Sequence, residues 1–141
     1  MGKILCATRG GEASYRTQDA AIALARERGD SLIFLYVVDT HFLDRTERAV
    51  RPDVVAEEMA RMGQFLLTMA QERAQAQGVQ AEVRIRRGEV LEELKAAARE
   101  EGADLVILGR PGEEESAFRQ VDLEAVAREI EEETGVETRI V

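Results

Sequence analysis

Gly109 and Gly112 stand three residues apart in the segment GRPG, directly after the apolar run Leu105 to Leu108. Glycines allow backbone N–H groups to approach phosphate oxygens, and a helix N-terminus behind such a turn favours negative charge. Arg110 lies between the two glycines, and Arg9 follows the first apolar run of the chain. Guanidinium forks suit a small anion or a monophosphate. A triphosphate is another matter, because Glu113, Glu114 and Glu115 come next. Each carboxylate beside about four phosphate charges costs roughly 1 to 4 kcal/mol at a surface-like dielectric. The same glutamates can simply pair with Arg9 and Arg110 and close the cleft, the commoner arrangement for clustered surface charge. No other residues suggest catalysis. His41 is the sole histidine and reads as a loop residue, so neither a Ser-His-Asp nor a Cys-His arrangement is supported. Cys6, the sole cysteine, lies in an apolar run and reads as a buried small hydrophobe; no spacing suggests a metal site.

The elements that would position Arg9 and the glycines follow from alternating apolar runs and amphipathic stretches. Strands are expected at Lys3 to Thr8, Ser31 to Val38, Val79 to Arg86, Asp104 to Gly109 and Val136 to Val141. Between them, Ser14 to Arg28 reads as a helix with Thr17, Ala21, Leu24 and Ala25 inward and Gly29 as its stop. A long helix from Pro52 or Asp53 to about Gln77 ends at Gly78, and Val55, Met59, Met62, Leu66 and Met69 mark its expected core face. The methionines could instead form an adaptable binding surface, but helical spacing favours packing. A third helix turns Leu91, Leu94 and Ala98 inward and closes at Gly102; a last one carries Leu123, Val126, Ala127 and Ile130 before Gly135. Glu129 to Glu133 reads as a solvated face, and Glu57 with Arg61 as an i,i+4 pair. Asp39 to Arg51 and Arg110 to Arg119 fit no regular element and are expected as loops, the first a possible lid.

The first, second and fourth strands are apolar on both faces, as central parallel strands are. In contrast, Val79 to Arg86 and Val136 to Val141 alternate apolar with polar residues and belong at the edges. With right-handed crossovers this gives a five-stranded parallel sheet in the order 3-2-1-4-5, helices on both faces: one doubly wound α/β domain over residues 1–141. Its switch point lies between the first and fourth strands, where Arg9 and Arg110 would meet. The chain carries a net charge of -9, and residues 89–141 alone hold 16 acidic against 6 basic side chains. That surface repels a phosphate backbone and an anionic membrane, so nucleic acid and membrane are not expected partners. No stretch approaches the ~20 apolar residues of a membrane span and no secretory leader is evident, so the cytoplasm is the expected location.

Three segments now stand together: KILCATRGGEAS from Lys3, FLYVVD from Phe34 and GADLVILGRPG from Gly102. Jointly they resemble the opening strand and turn, the second strand and the fourth strand with its Gly-x-x-Gly turn of the universal stress protein family, and the likeness covers nearly the whole chain. In ATP-binding members that turn is followed, after about nine residues, by Gly-Ser or Gly-Thr opening the last helix. Here Asp122-Leu123 or Glu124-Ala125 stands there, and Arg9-Gly10-Gly11 replaces the family's Asp-Gly-Ser-like turn. The resemblance therefore implies a homodimeric regulatory or interaction module with an unidentified protein partner, no catalysis and no bound ATP. Dimerisation through the last strand, Val136 to Val141, is implied in the same way. The alternative is an adenine-nucleotide-binding member in which Ala7, Arg9, Val38, Gly109, Arg110 and Gly112 hold ATP or AMP, with slow hydrolysis.

Overall fold

The computed structural model describes residues 2–8, 12–39, 52–110 and 118–141, with the side chains of residues 12, 13, 52 and 118–122 excepted. Among the described residues nine elements follow in chain order: β1 (Lys3–Ala7), α1 (Glu12–Arg28), β2 (Ser31–Asp39), α2 (Pro52–Ala76), β3 (Ala81–Gly88), α3 (Val90–Glu100), β4 (Leu105–Leu108), α4 (Phe118–Thr134) and β5 (Glu137–Ile140). All strand pairs are parallel and the sheet order is β3-β2-β1-β4-β5. The order expected from the two-faced apolar strands is the observed one, and the boundaries differ by one or two residues at most element ends. Asp39 belongs to β2, while the rest of the expected loop up to Arg51 lies outside the described residues. Phe118 and Arg119, expected in a loop, open α4 instead.

Strand alternation divides the core in two. Ile4, Cys6, Leu32, Phe34, Tyr36, Val38, Leu105 and Ile107 face α1 and α2, packing with Ala21, Ile22, Leu67 and Ala70. On the other face, Leu5, Ile33, Leu35, Val106 and Leu108 pack against Leu94, Ala97 and Ala98 of α3 and Ala127 and Ile130 of α4. Helix α3 ends as its glycine dictates. Gly102 at φ +65 allows its own N–H to reach Arg99 O at 3.2 Å and the N–H of Ala103 to reach Ala98 O at 3.0 Å, the paired bonds of a Schellman cap.

Two expectations about helix faces are corrected. The side of α2 laid on the sheet is Ala56, Gly63, Leu67, Ala70 and Ala74, with Met59, Ala60 and Leu66 at its margin; Met62 is 61% exposed, and Val55 is also exposed. Small residues win because they let α2 approach closely: a Cβ built on Gly63 would lie 2.4 Å from Cδ1 of Tyr36. Arg61 pairs with Glu58 at 3.6 Å, one residue nearer than the expected Glu57. In α4, Glu129 and Glu133 are not merely solvated. They close on Lys95 of α3, whose ammonium lies 2.5 Å from Glu129 and 3.1 Å from Glu92 and also contacts Glu133, and whose side chain is only 5% exposed. Further pairs tie β3 to α3: Arg84 to Glu101 at 3.0 Å, and Arg86 to Glu93 and Glu100 at 2.8 and 2.7 Å.

Candidate functional site

In an open parallel sheet the crevice for a ligand lies beyond the strands' carboxyl ends, where the chain order reverses. Here that place is between β1 and β4. Continuing their register, which pairs Cys6 with Ile107, by two residues brings Thr8 alongside Gly109. On the other flank the Thr8 N–H donates to Leu35 O at 2.9 Å, extending the β1–β2 ladder. Helix α1 crosses above these ends, and its first turns are lined with polar groups. Ser14, Thr17 and Gln18 are all buried, as is Thr8. Gln18, 2% exposed, donates from Nε2 to Thr8 Oγ1 at 3.0 Å, while its Oε1 is buried with no hydrogen-bond partner. Whichever way the amide is turned, one polar end of Gln18 is left unsatisfied.

The candidate residues read from the sequence are distributed unevenly around this crevice. Ala7 and Gly109 are partly buried at the ends of neighbouring strands, and Arg110 is exposed just beyond. Val38 is fully buried in the core under α1 and α2. Arg9 and Gly112 lie outside the described residues, as do Glu113 to Glu115, so the meeting of the two arginines and their pairing with those glutamates fall there too. Sequence reasoning missed Gln18 and took Thr17 only as part of an inward face. The signal was present: positions 14, 17, 18, 21, 22 and 25 form one helical stripe, and its polar members all sit at the end nearest the crevice.

Gly109 has a structural duty that the phosphate reading did not include. A Cβ at this position would meet Thr17 Oγ1 at 2.2 Å and Thr17 Cβ at 3.1 Å, so the residue must lack a side chain for α1 to seat on the sheet. Gly109→Ala should therefore destabilise the nucleotide-free protein by about 1 to 3 kcal/mol, the usual cost of overpacking. Adding Thr17→Ala should recover most of that loss in a urea midpoint measurement. The next amide is also committed: Arg110 N–H donates to Val141 O, and Val141 N–H to Leu108 O, both at 2.9 Å.

Helix α4 begins at Phe118, so positions 122–125 lie in its second turn. Their N–H groups are then bonded to carbonyls one turn back, whereas only the first few amides of a helix are free for an anion. Cys6, at the centre of the sheet and fully buried, is no nucleophile: burial pushes its thiol up to about 12. An open groove of about 880 Å³ runs between α1 and α2, lined by Asp19, Ile22, Arg26, Arg73 and Gln77 among others. It lies toward the helices' C-terminal halves and hence away from the crevice.

Residues 1–136 match the Universal stress protein family. The chain belongs to that family. Among curated relatives, the universal stress protein YxiE of Bacillus subtilis (strain 168) is 30% identical over 128 residues, spanning 79% of this chain and 80% of that protein. A universal stress protein family member from Burkholderia pseudomallei superposes with a TM-score of 0.78 at 25% identity, covering 99% of this chain and 95% of that one. A universal stress protein solved in complex with cAMP superposes with a TM-score of 0.71 at 23% identity, over 99% of this chain and 96% of that one. The doubly wound sheet of this universal stress protein is thus shared with solved relatives along its whole length.

Proposed function

We infer that this universal stress protein acts as a homodimeric regulatory or interaction module that binds no ATP and catalyses no reaction. The observation that carries this reading is the start of α4 at Phe118. It turns the residues aligned with the family's Gly-Ser into helix interior, with Asp122 and Glu124 among them. Support also comes from Gly109, whose lack of a side chain is accounted for by Thr17. Dimerisation through the last strand is supported by the position of β5 at a sheet edge, with Glu137 and Arg139 paired at 3.0 Å within one chain. Across a twofold axis the same two residues would form reciprocal pairs. The edge is partly guarded: Thr138 N–H donates to Glu131 Oε2 at 3.2 Å, and a dimer exchanges that bond for a carbonyl of the second copy.

The second reading, an adenine-nucleotide sensor, is favoured by two specific points. One relative of the same fold is seen with cAMP. The unsatisfied end of Gln18 lies beside the crevice, where a nucleobase edge or its water would meet it. Calorimetric titration with ATP, AMP and cAMP, with and without magnesium, separates the two readings. No heat at millimolar ligand, together with a dimer mass in sedimentation, is the expected result. Micromolar binding that Gly112→Val abolishes would replace the first reading with the second.

A further inference from the structure

The outward side of α2 is unlike that of the other helices. Phe65 is 65% exposed and Met62 61%, with Val54 and Val55 also open to solvent and Met69 partly so. Val55, Met62 and Met69 are spaced by seven, and Phe65 lies one turn from both Met62 and Met69. These residues therefore form a stripe along about four turns, on a helix whose opposite side is already satisfied by the sheet. Isolated apolar side chains on a surface need no explanation, but a stripe with an aromatic centre and two unbranched methionines has the composition of an adaptable helix-binding surface.

Charge selects the occupant. Helix α2 carries Asp53, Glu57, Glu58 and Glu72 against Arg61 and Arg73. Both arginines are already engaged, Arg61 by Glu58 at 3.6 Å and Arg73 by Asp19 at 2.6 Å with its guanidinium 4.9 Å from the Tyr15 ring centre. Glu57 and Glu72 remain exposed near the two ends of the stripe. A second copy would bring the same acidic helix and a further net charge of -9 against this face. An anionic membrane would be repelled likewise.

We propose that the outward face of α2 docks a basic amphipathic helix of a partner protein, its apolar side on Met62 and Phe65 and its cationic flanks on Glu57 and Glu72. This deepens the interaction-module reading and rests on it. The test uses the full chain and a fluorescein-labelled model peptide of three heptads, leucine on one face and lysine on its flanks, followed by anisotropy. A twin with glutamate replacing lysine is the control. The basic peptide should bind on the order of tenfold more tightly than its twin, and Met62→Ser with Phe65→Ser should weaken it by a similar factor. Because both side chains are largely exposed, the thermal midpoint of that variant should stay near the parent's. Glu57→Lys with Glu72→Lys should reverse the preference between the peptides.

Binding indifferent to the Met62 and Phe65 substitutions, equal binding of the two peptides, or none at millimolar concentration would each overturn the proposal. So would a dimer that the Met62 and Phe65 variant splits in sedimentation, since a second copy would then own the face. The nucleotide titration keeps the two readings apart. A flat ATP titration without peptide binding removes only the α2 surface, whereas ATP binding with peptide binding removes only the nucleotide-free reading.

Discussion

Gly63→Ala should destabilise this protein, although helix propensity alone says the opposite. In the interior of an exposed helix, alanine is worth about 1 kcal/mol more than glycine. Gly63, however, is buried midway along α2, and a Cβ there would lie 2.4, 2.7 and 2.8 Å from three ring carbons of Tyr36. The ring has little room to yield, being 8% exposed on β2 among the core side chains beneath α1 and α2. The expected net loss is about 1 to 3 kcal/mol, in the range of overpacked cores. It should register as a lower urea midpoint with an unchanged m-value. In a Tyr36→Ala background the sign should invert, because the space above the strand is then open and propensity is left to act. A higher midpoint for Gly63→Ala in the parent would show that α2 stands further from the sheet than described.

The second large effect concerns Lys95, and its signature is pH dependence. Hydrogen bonds donated to Glu129, then to Glu133 and Glu92, hold its ammonium well above the usual lysine range, and Lys95 in turn holds the Glu133 carboxyl below its usual value. A depressed carboxylate stabilises the fold above its unfolded pKa, about 4.3, and that contribution disappears as pH falls through the lower folded value. The raised lysine contributes at every pH below about 10.4 and loses its effect only above that, as pH rises through the folded value. Acidification from neutrality should therefore weaken the parent mainly below pH 4.3. Lys95→Met removes the cation on which Glu92, Glu129 and Glu133 converge, so the variant should melt lower than the parent at pH 7. The gap between the two thermal midpoints should hold from pH 7 down to about pH 4.3 and narrow below it, as pH falls through the depressed Glu133 value. A gap independent of pH would mean that Lys95 serves through its aliphatic stem alone.

What was legible in the sequence, and what was not, divides along physical lines. Strand composition encodes burial on each face directly, so Ile4 to Ala7 and Leu105 to Leu108 declared themselves central and Val79 to Arg86 an edge. From there the sheet order followed. The face of α2 was misjudged because periodicity was counted on large side chains, whereas a helix pressed onto a sheet turns Ala56, Gly63, Ala70 and Ala74 inward. Alanine and glycine give almost no hydrophobic signal, yet they set the approach distance. Lys95 was hidden similarly, since one cation among many carboxylates has no spacing that names its partners. At the site, the Gly109 signal was real but ambiguous: a residue without a side chain serves a phosphate or a neighbouring helix equally well, and only the position of Thr17 tells which.

Cys6 has one more use. It is the chain's single thiol, it lies in the central strand, and its side chain is fully buried. Its side chain lies beneath α1 and α2, so a thiol reagent in water can reach it only when helix parts from sheet on that face, an opening that uncovers half the core. The rate of labelling thus acts as an internal clock for the opening of that face, readable by mass in a crowded lysate and without an engineered probe. Each substitution discussed above can be timed by the same sulfur atom.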